Sequence, residues 1–322
     1  MKYFFEYSLA VVISRLVRVL PRRVYLWCGR VVGSLFFFVD RKHRHITIDH
    51  VKLAFGTEKS EIAIKRTARD SFRHFGSMLF ELVALKCSLV KELDSRVCFD
   101  GSENFEKASD LGKGVILVTA HYGNWELHAI AHGARFDPMH VVARRQENPY
   151  LNCWLESIRK ISGNQVVYKQ QALRRTRTLI KKGETVAFVI DQNVSREEAV
   201  FVDFFGRKAA TTPVAAWFAL KTGAALVPAF SIPLSDGRYR LVYEKAVDCD
   251  GYQGMRFEDA VVAVTQELAD VQERYIRAHP ECWLWMHRRW KTRPPEEIKV
   301  SGPTTVLLQP EQAEATPRVD EA

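Results

Sequence analysis

The chain opens on apolar runs with helical spacing. FFEYSLAVVISRLVRVL (Phe4 to Leu20) is apolar around most of its circumference, with Ser8, Arg15 and Arg18 on one side. After Pro21, YLWCGRVVGSLFFFV (Tyr25 to Val39) is broken only by Arg30 and ends at the basic patch RKHRH (Arg41 to His45). EIAIKRTARDSFRHFGSMLFELVALK (Glu61 to Lys86) places Ile64, Ala68, Phe72, Phe75, Leu79 and Leu82 on one stripe. Helices are therefore predicted over most of the chain from Met1 to about Leu93.

Beyond that point the period changes. Short β-type runs bounded by Gly, Asp or Pro follow: VCFDG, GVILVTA, MHVVARR, NQVVYK, ETVAFVIDQ, ALVPAFSI and YRLVYE. Helical patterns lie between most of them, namely WELHAIAHGA, PYLNCWLESIRKI, QALRRTRTLIKKG and TPVAAWFALKTG. VVAVTQELADVQERYIRAHP adds a long helix near the end. Alternation of strand and helix, with strands apolar on both faces, predicts an α/β fold with a mainly parallel sheet flanked by helices. The expected divisions are N-terminal membrane-associating helices over 1–45, one α/β domain over 46–298, and a disordered tail over 299–322, rich in Pro, Thr, Glu and Ala.

Composition narrows the partners. The formal net charge of +9 favours anionic ones: nucleic acid, an anionic membrane surface, or an acidic protein or phosphorylated substrate. The six cysteines are scattered without C-x-x-C spacing, which fits a reducing, cytosol-facing location, and each is expected to be a small buried hydrophobe. No run reaches the roughly 20 apolar residues that a spanning helix needs. Arginines inside the first apolar run argue against a secretory signal. Two readings of that run stand side by side: helices lying in a bilayer interface, or buried core helices with a charged edge.

The segment TAHYGNWELHAIA (Thr119 to Ala131) carries the candidate chemistry. His121 follows an apolar strand directly, and ligands of open α/β sheets bind at the carboxyl ends of strands. Glu126 falls in the first turn of the next helix, and the Gly123-Asn124 turn would let its carboxylate fold back to the imidazole. A carboxylate on one ring nitrogen fixes the tautomer and raises the basicity of the other, as a general base requires. On spacing alone, a satisfied histidine at a strand end beside a helix-start glutamate is the stronger reading of the pair. His128 and His132 are i, i+4 on one helix, but neither H-E-x-x-H nor H-x-x-E-H occurs, and no metal is expected. RRQENPY (Arg144 to Tyr150) and IDQN (Ile190 to Asn193) follow neighbouring strands and could hold a phosphate, a sugar or an oxyanion.

Taken in order, HYGNWE, RRQENP, VIDQN, FFGRKAATTPVAAWFALKTGAALVP and PECWLWMHRRWKTRP resemble the bacterial lipid A late acyltransferases, of the lysophospholipid acyltransferase superfamily. The likeness runs to about Pro294 and departs at Pro213-Val214 and around Asp49-His50. It implies an enzyme on the cytoplasmic face of the bacterial inner membrane, with no cofactor. Its donor would be an acyl thioester of acyl carrier protein, and its acceptor an anionic, phosphorylated lipid A precursor. The resemblance makes His121 the base, Glu126 its partner, and Arg144 or Arg159 with Asp191 positioning groups. Asn124, Asn148, Gln192, Gly206, Thr211, His287, Arg288 and Arg289 would then line the substrate, in blocks that also hold Phe205, Trp285 and Lys291.

Two rivals remain at this level. One keeps the fold with another glycolipid acceptor or an acyl-CoA donor. The other is a non-catalytic basic protein contacting phosphates of membranes or nucleic acid through RKHRH, LRRTRTLIKK and HRRWK. No nucleic-acid motif accompanies those stretches, so no nucleic-acid partner is expected.

Overall fold

The computed structural model describes residues 1–85 and 92–299. The predicted tail from residue 300 onward, and Cys87, lie outside the described residues. Four helices lead: α1 (Lys2–Val19), α2 (Arg22–Val39), α3 (Arg41–Phe55) and α4 (Glu61–Ala84). Asp40 starts α3 by accepting from the His43 backbone N–H, so the basic patch becomes that helix's first turn.

The seven predicted strand segments form one sheet. They are β1 (Val97–Asp100), β2 (Val115–Thr119), β3 (His140–Ala143), β4 (Gln165–Tyr168), β5 (Thr185–Val189), β8 (Ala225–Pro233) and β9 (Tyr239–Tyr243), ordered β1-β9-β8-β2-β5-β3-β4. All neighbours are parallel except β8 and β9. The exception has a local cause: only Leu234 to Arg238 join those two strands, and a parallel return needs a dozen or more residues. Both faces are covered, which is why strand residues alternate between two cores. Leu117, Ala187 and Ala229 pack under α5 (Ser102–Asp110), α6 (Trp125–Arg135) and α7 (Pro149–Arg159). Ile116, Val186 and Phe188 pack under α8 (Ala172–Lys181), α9 (Val214–Thr222) and α10 (Phe257–Ala278).

A separate hairpin, β6 (Val200–Phe204) and β7 (Arg207–Thr211), has no counterpart among the predicted strands. Its two-residue turn is Phe205-Gly206, with φ of 54° and 68°. Both values suit the hairpin turn whose usual signature is Asn-Gly, and phenylalanine in the first place hid it.

The predicted helix forms over Glu61–Ala84, but its stripe turns. Ile64, Ala68, Phe72 and Leu82 are buried, whereas Leu79 is 54% exposed and Met78 is buried in its place. The cause is close contact with α2 along another face. A Cβ on Gly33 would stand 2.2 Å from the Phe72 carbonyl oxygen, and one on Gly76 2.2 Å from that of Gly29. Glycines let the two backbones touch where larger residues would hold them apart. Arg22 of α2 also donates to the buried Glu81 of α4 at 2.6 Å.

Neither α1 nor α2 is swallowed by the core. Phe4, Phe5, Leu9, Leu16 and Val19 of α1, and Trp27, Leu35, Phe36, Phe38 and Val39 of α2, are exposed. Among the described residues no helix is long and apolar enough to cross a membrane. The cysteines depart from expectation: of the five described, only Cys282 is buried and Cys153 is exposed.

Candidate active site

His121 leaves the end of β2 and enters a turn that the chain holds from three sides. Gly123 adopts φ of 60° and passes so close to β8 that a Cβ would lie 1.7 Å from the Ser231 carbonyl oxygen. The Gly123 carbonyl meets the His74 ring at 3.1 Å, and its N–H donates to the Cys282 carbonyl at 2.9 Å. Asn124 caps α6 by accepting from the Leu127 N–H, and its amide donates to Glu81 at 3.0 Å. The segment after α10 closes the turn as well, since the Leu284 N–H donates to the His121 carbonyl at 3.1 Å.

The carboxylate on His121 is Asp191. Nδ1 of the ring is 2.8 Å from its Oδ1, and the His121 backbone N–H donates to Oδ2 at 2.9 Å. The Trp283 indole N–H donates to the same Oδ2 at 2.7 Å. Burial alone would raise the Asp191 carboxyl, but the facing imidazole and these donors outweigh it and hold it below its usual range. Burial likewise pulls His121 down. The Asp191 charge and hydrogen bond, with the Glu126 charge added, overcome both burial and the opposing Arg159 and raise it above the ordinary histidine value.

Glu126 does not fold back to the ring as the spacing led one to expect. No hydrogen bond joins it to His121 among the described residues. Its carboxylate is clamped instead by Arg159, whose Nε donates at 2.9 Å to Oε2 and whose Nη2 donates at 2.5 Å to Oε1. The reason is geometric. Glu126 is fixed to a helix whose N-cap is tied down, while Asp191 lies two residues past the end of the adjacent parallel strand β5, as His121 does past β2, with Thr119 and Val189 in register. Arg159, at the end of α7, reaches Glu126 from beside α6. The buried pair sits next to the imidazole, close enough for Glu126 to act on it by charge.

A cavity of about 1460 Å³ opens at this sheet edge. His121, Trp125, Glu126, Arg159 and Gln192 line it, with Leu117, Met139, Val141 and Ala187 reaching inward. It is larger than the few hundred to 1000 Å³ typical of small-molecule sites. Ala129, Val142, Phe188 and Ala229 add to the apolar part of its lining. The His121 ring faces this cavity: it meets Trp125 edge-on at 5.0 Å, and the Gln192 amide lies 3.5 Å from Nε2.

The other expected site residues fall into two groups. Arg144 lines the cavity and is exposed, so it and Arg159 both stand at the site with different duties. Asn148 caps α7 and donates to the Tyr3 carbonyl and to Glu6, which spends its side chain on docking α1. Gly206 sits in the exposed β6–β7 turn, outside the cavity lining. Thr211 is buried and accepts from Arg289; its neighbour Thr212 lines the cavity instead.

Arg289 is corrected from a substrate cation to a structural clamp. It is 0% exposed, and its Nη1 donates to the Ala210 carbonyl at 2.7 Å, tying β7 to the loop after β5. Burial brings its guanidinium down to about 10. His287 accepts from the Asn193 N–H at 2.6 Å, and burial pushes it down to about 4, so it is neutral and holds the same loop. Arg288 is exposed and outside the cavity lining.

The residue that sequence reasoning left without a role is Trp283. It lay in the W-x-W block, yet only folding reveals that its N–H holds Asp191. Trp283, Trp285 and Trp290 are all buried beneath the site with Tyr122 and Phe204. His128 and His132 pack in the core against Tyr243, and burial holds them down to about 4 and about 3.

Comparisons with known proteins bear on the family. Residues 1–292 match the family model of bacterial lipid A biosynthesis acyltransferases. A lipid A biosynthesis lauroyltransferase of Escherichia coli (strain K12) is 26% identical over 280 residues, covering 87% of this chain and 89% of that protein. A palmitoleoyltransferase of the same organism is 26% identical over 277 residues, 85% of this chain and 87% of its own. Its myristoyltransferase is 22% identical over 272 residues, 84% and 81% respectively. With a histidine–carboxylate pair whose imidazole lines a large cavity, and a family match that spans nearly every described residue, the chain belongs to the bacterial lipid A biosynthesis acyltransferases.

Proposed function

We propose that this acyltransferase moves a fatty acyl group from acyl carrier protein to a hydroxyl of a lipid A precursor, with His121 as general base. The observation that carries the mechanism is the His121–Asp191 pair at the cavity mouth. With Asp191 accepting from Nδ1–H, the neutral ring presents the lone pair of Nε2 to the cavity. Nε2 takes the proton of the acceptor hydroxyl, and the oxygen attacks the thioester carbonyl. As the tetrahedral intermediate collapses, the carbon–sulfur bond breaks. The thiolate leaves with the proton held by the imidazolium, giving an ester and a free thiol. Gln192, whose amide lies 3.5 Å from Nε2, and Arg159, which lines the same cavity, would stabilise the oxyanion, while the Glu126 charge supports the imidazolium. No cysteine takes part, because the thioester is already activated.

The test is transfer from acyl carrier protein to a purified tetra-acylated or penta-acylated lipid A precursor, followed by mass spectrometry. One added acyl mass, absent with a His121→Ala protein of intact circular dichroism, is the expected result. Transfer to another glycolipid, with none to lipid A precursors, would refute the acceptor.

The same reading places the protein at the cytoplasmic face of the inner membrane. The support is the exposed apolar surface of α1 and α2, with Arg15, Arg23 and Arg30 on the same helices. Replacing Phe4, Phe5, Leu9 and Leu16 together with Ser should move the protein from floated liposomes of anionic lipid into the soluble fraction. An unchanged floated fraction would show that attachment lies elsewhere.

A further inference from the structure

One strongly charged surface has no part in the site described above. Helix α8 carries Arg174, Arg175, Arg177, Lys181 and, just past its end, Lys182, with no acidic residue between. All five are exposed, and none makes an ion pair among the described residues. Such density of unpaired cations costs self-repulsion, so it stands out against the mixed charge elsewhere. Arg174, Arg177 and Lys181 are spaced i, i+3, i+7, one stripe along the helix, and all three line the 1460 Å³ cavity that His121 faces. Leu173, 65% exposed, stands beside it, and Arg144 adds positive charge to the same lining, whereas Lys169 there is paired with Glu198 at 2.8 Å.

The layer order decides which anion meets this surface. α8 packs on the sheet face that carries α9 and α10. The apolar helix α1 docks on the other side, against α7, through Tyr150 with Phe4 and Tyr7. Of the apolar residues of α8, Ala172, Leu179 and Ile180 are spent in the core, which leaves Leu173 alone exposed. One leucine is not an apolar face to lay into a bilayer, and α8 lies across the sheet from the helix α1, which has one.

We infer that the α8 stripe is the docking surface for a small acidic protein that delivers the acyl thioester. This rests on the donor proposed above and assigns that partner its place. A cationic rim beside a deep apolar cavity steers an acidic carrier so that its thioester enters at His121 while its own surface stays outside. Such rim charges act on encounter and weaken with salt.

The experiment uses the full chain with Arg174, Arg177 and Lys181 all changed to Glu, with circular dichroism to verify the fold. Two donors are compared, the acyl carrier protein thioester and the same acyl group on pantetheine, which lacks the protein. The expected result is that kcat/KM for the carrier thioester falls at least tenfold more than that for acyl-pantetheine. The loss should lie mainly in KM, and the parent's decline with rising salt should flatten. An Arg174→Lys/Arg177→Lys variant should retain most of the parent's preference. Equal losses on both donors, or a rise only in the KM of the lipid acceptor, would overturn the inference. So would a variant indistinguishable from the parent. A parent enzyme that ignores the carrier thioester would instead remove the donor assignment itself, a result visible before any variant is made.

Discussion

Asp191→Asn should lower kcat by roughly two to four orders of magnitude, close to the loss from His121→Ala, while the protein stays folded. The carboxylate accepts from the His121 ring and backbone and from Trp283, so it sets the tautomer that points the Nε2 lone pair at the acceptor. Asparagine can present an N–H to Nδ1 and stabilise the wrong tautomer. The double variant should be little worse than either alone, because the two act as a unit. Glu126→Gln is expected to cost less, since Glu126 acts on the ring by charge and makes its hydrogen bonds to Arg159. If Asp191→Asn turns over near the parent rate while Glu126→Gln is dead, Glu126 is the orienting carboxylate and the assignment is wrong.

The pH profile gives a second readout with a definite sign. The base works only when neutral, and His121 is raised above its ordinary value of 6.5. The acidic limb of kcat/KM should therefore lie above pH 6.5, with activity growing as pH rises through it. Removing the Asp191 or Glu126 charge takes away part of what raises the ring, so the limb of any residual activity should move to lower pH. A limb that stays in place in both variants would detach it from His121.

Gly123→Ala should both destabilise the protein and abolish transfer. At φ of 60° any L side chain is strained by about 1–2 kcal/mol. A Cβ would also stand 1.7 Å from the Ser231 carbonyl oxygen, within a strand whose Ser231 is 1% exposed and cannot step aside. Together these put the loss at roughly 3 kcal/mol or more, the range of severe single substitutions. At about 2–4 °C per kcal/mol, the melting temperature should fall by at least 6 °C. Relief of the clash shifts the turn that carries His121, and near-attack geometry tolerates little displacement. Gly206→Ala is the control. It has φ of 68° but nothing within 4 Å of its Cβ, so only the strain remains and turnover should persist. Equal melting temperatures for the two variants would show that contact with Ser231 is not what the turn depends on.

How far the sequence reaches depends on whether a feature is written in neighbouring residues. The seven strands of the sheet and the helices between them were legible because doubly apolar β-runs and 3.6-residue stripes are local signals. His121 was legible for the same reason, at the end of GVILVTA where an α/β sheet binds its ligands. The antiparallel β9 followed from a connection too short to cross over, although it was not drawn from the sequence. The hairpin β6–β7 escaped because Phe205 takes the φ usually given to Asn.

The partner of His121 could not be settled in that way. Glu126 is five residues off in the chain, whereas Asp191 is seventy residues away and becomes adjacent only because β5 lies parallel to β2 with Thr119 beside Val189. Trp283 and Arg289 were visible as a motif, but a motif does not say which atoms meet. One indole N–H came to rest on Asp191, and one guanidinium that looked made for an anion was buried on backbone carbonyls. Sequence determined the fold class, the strand end that carries His121 and the family, because period and local order carry them. Register between distant strands, and the satisfaction of buried charge, decided which carboxylate bonds the His121 ring and which arginine is buried in the scaffold. Those are properties of pairs far apart in the chain, and only packing brings them together.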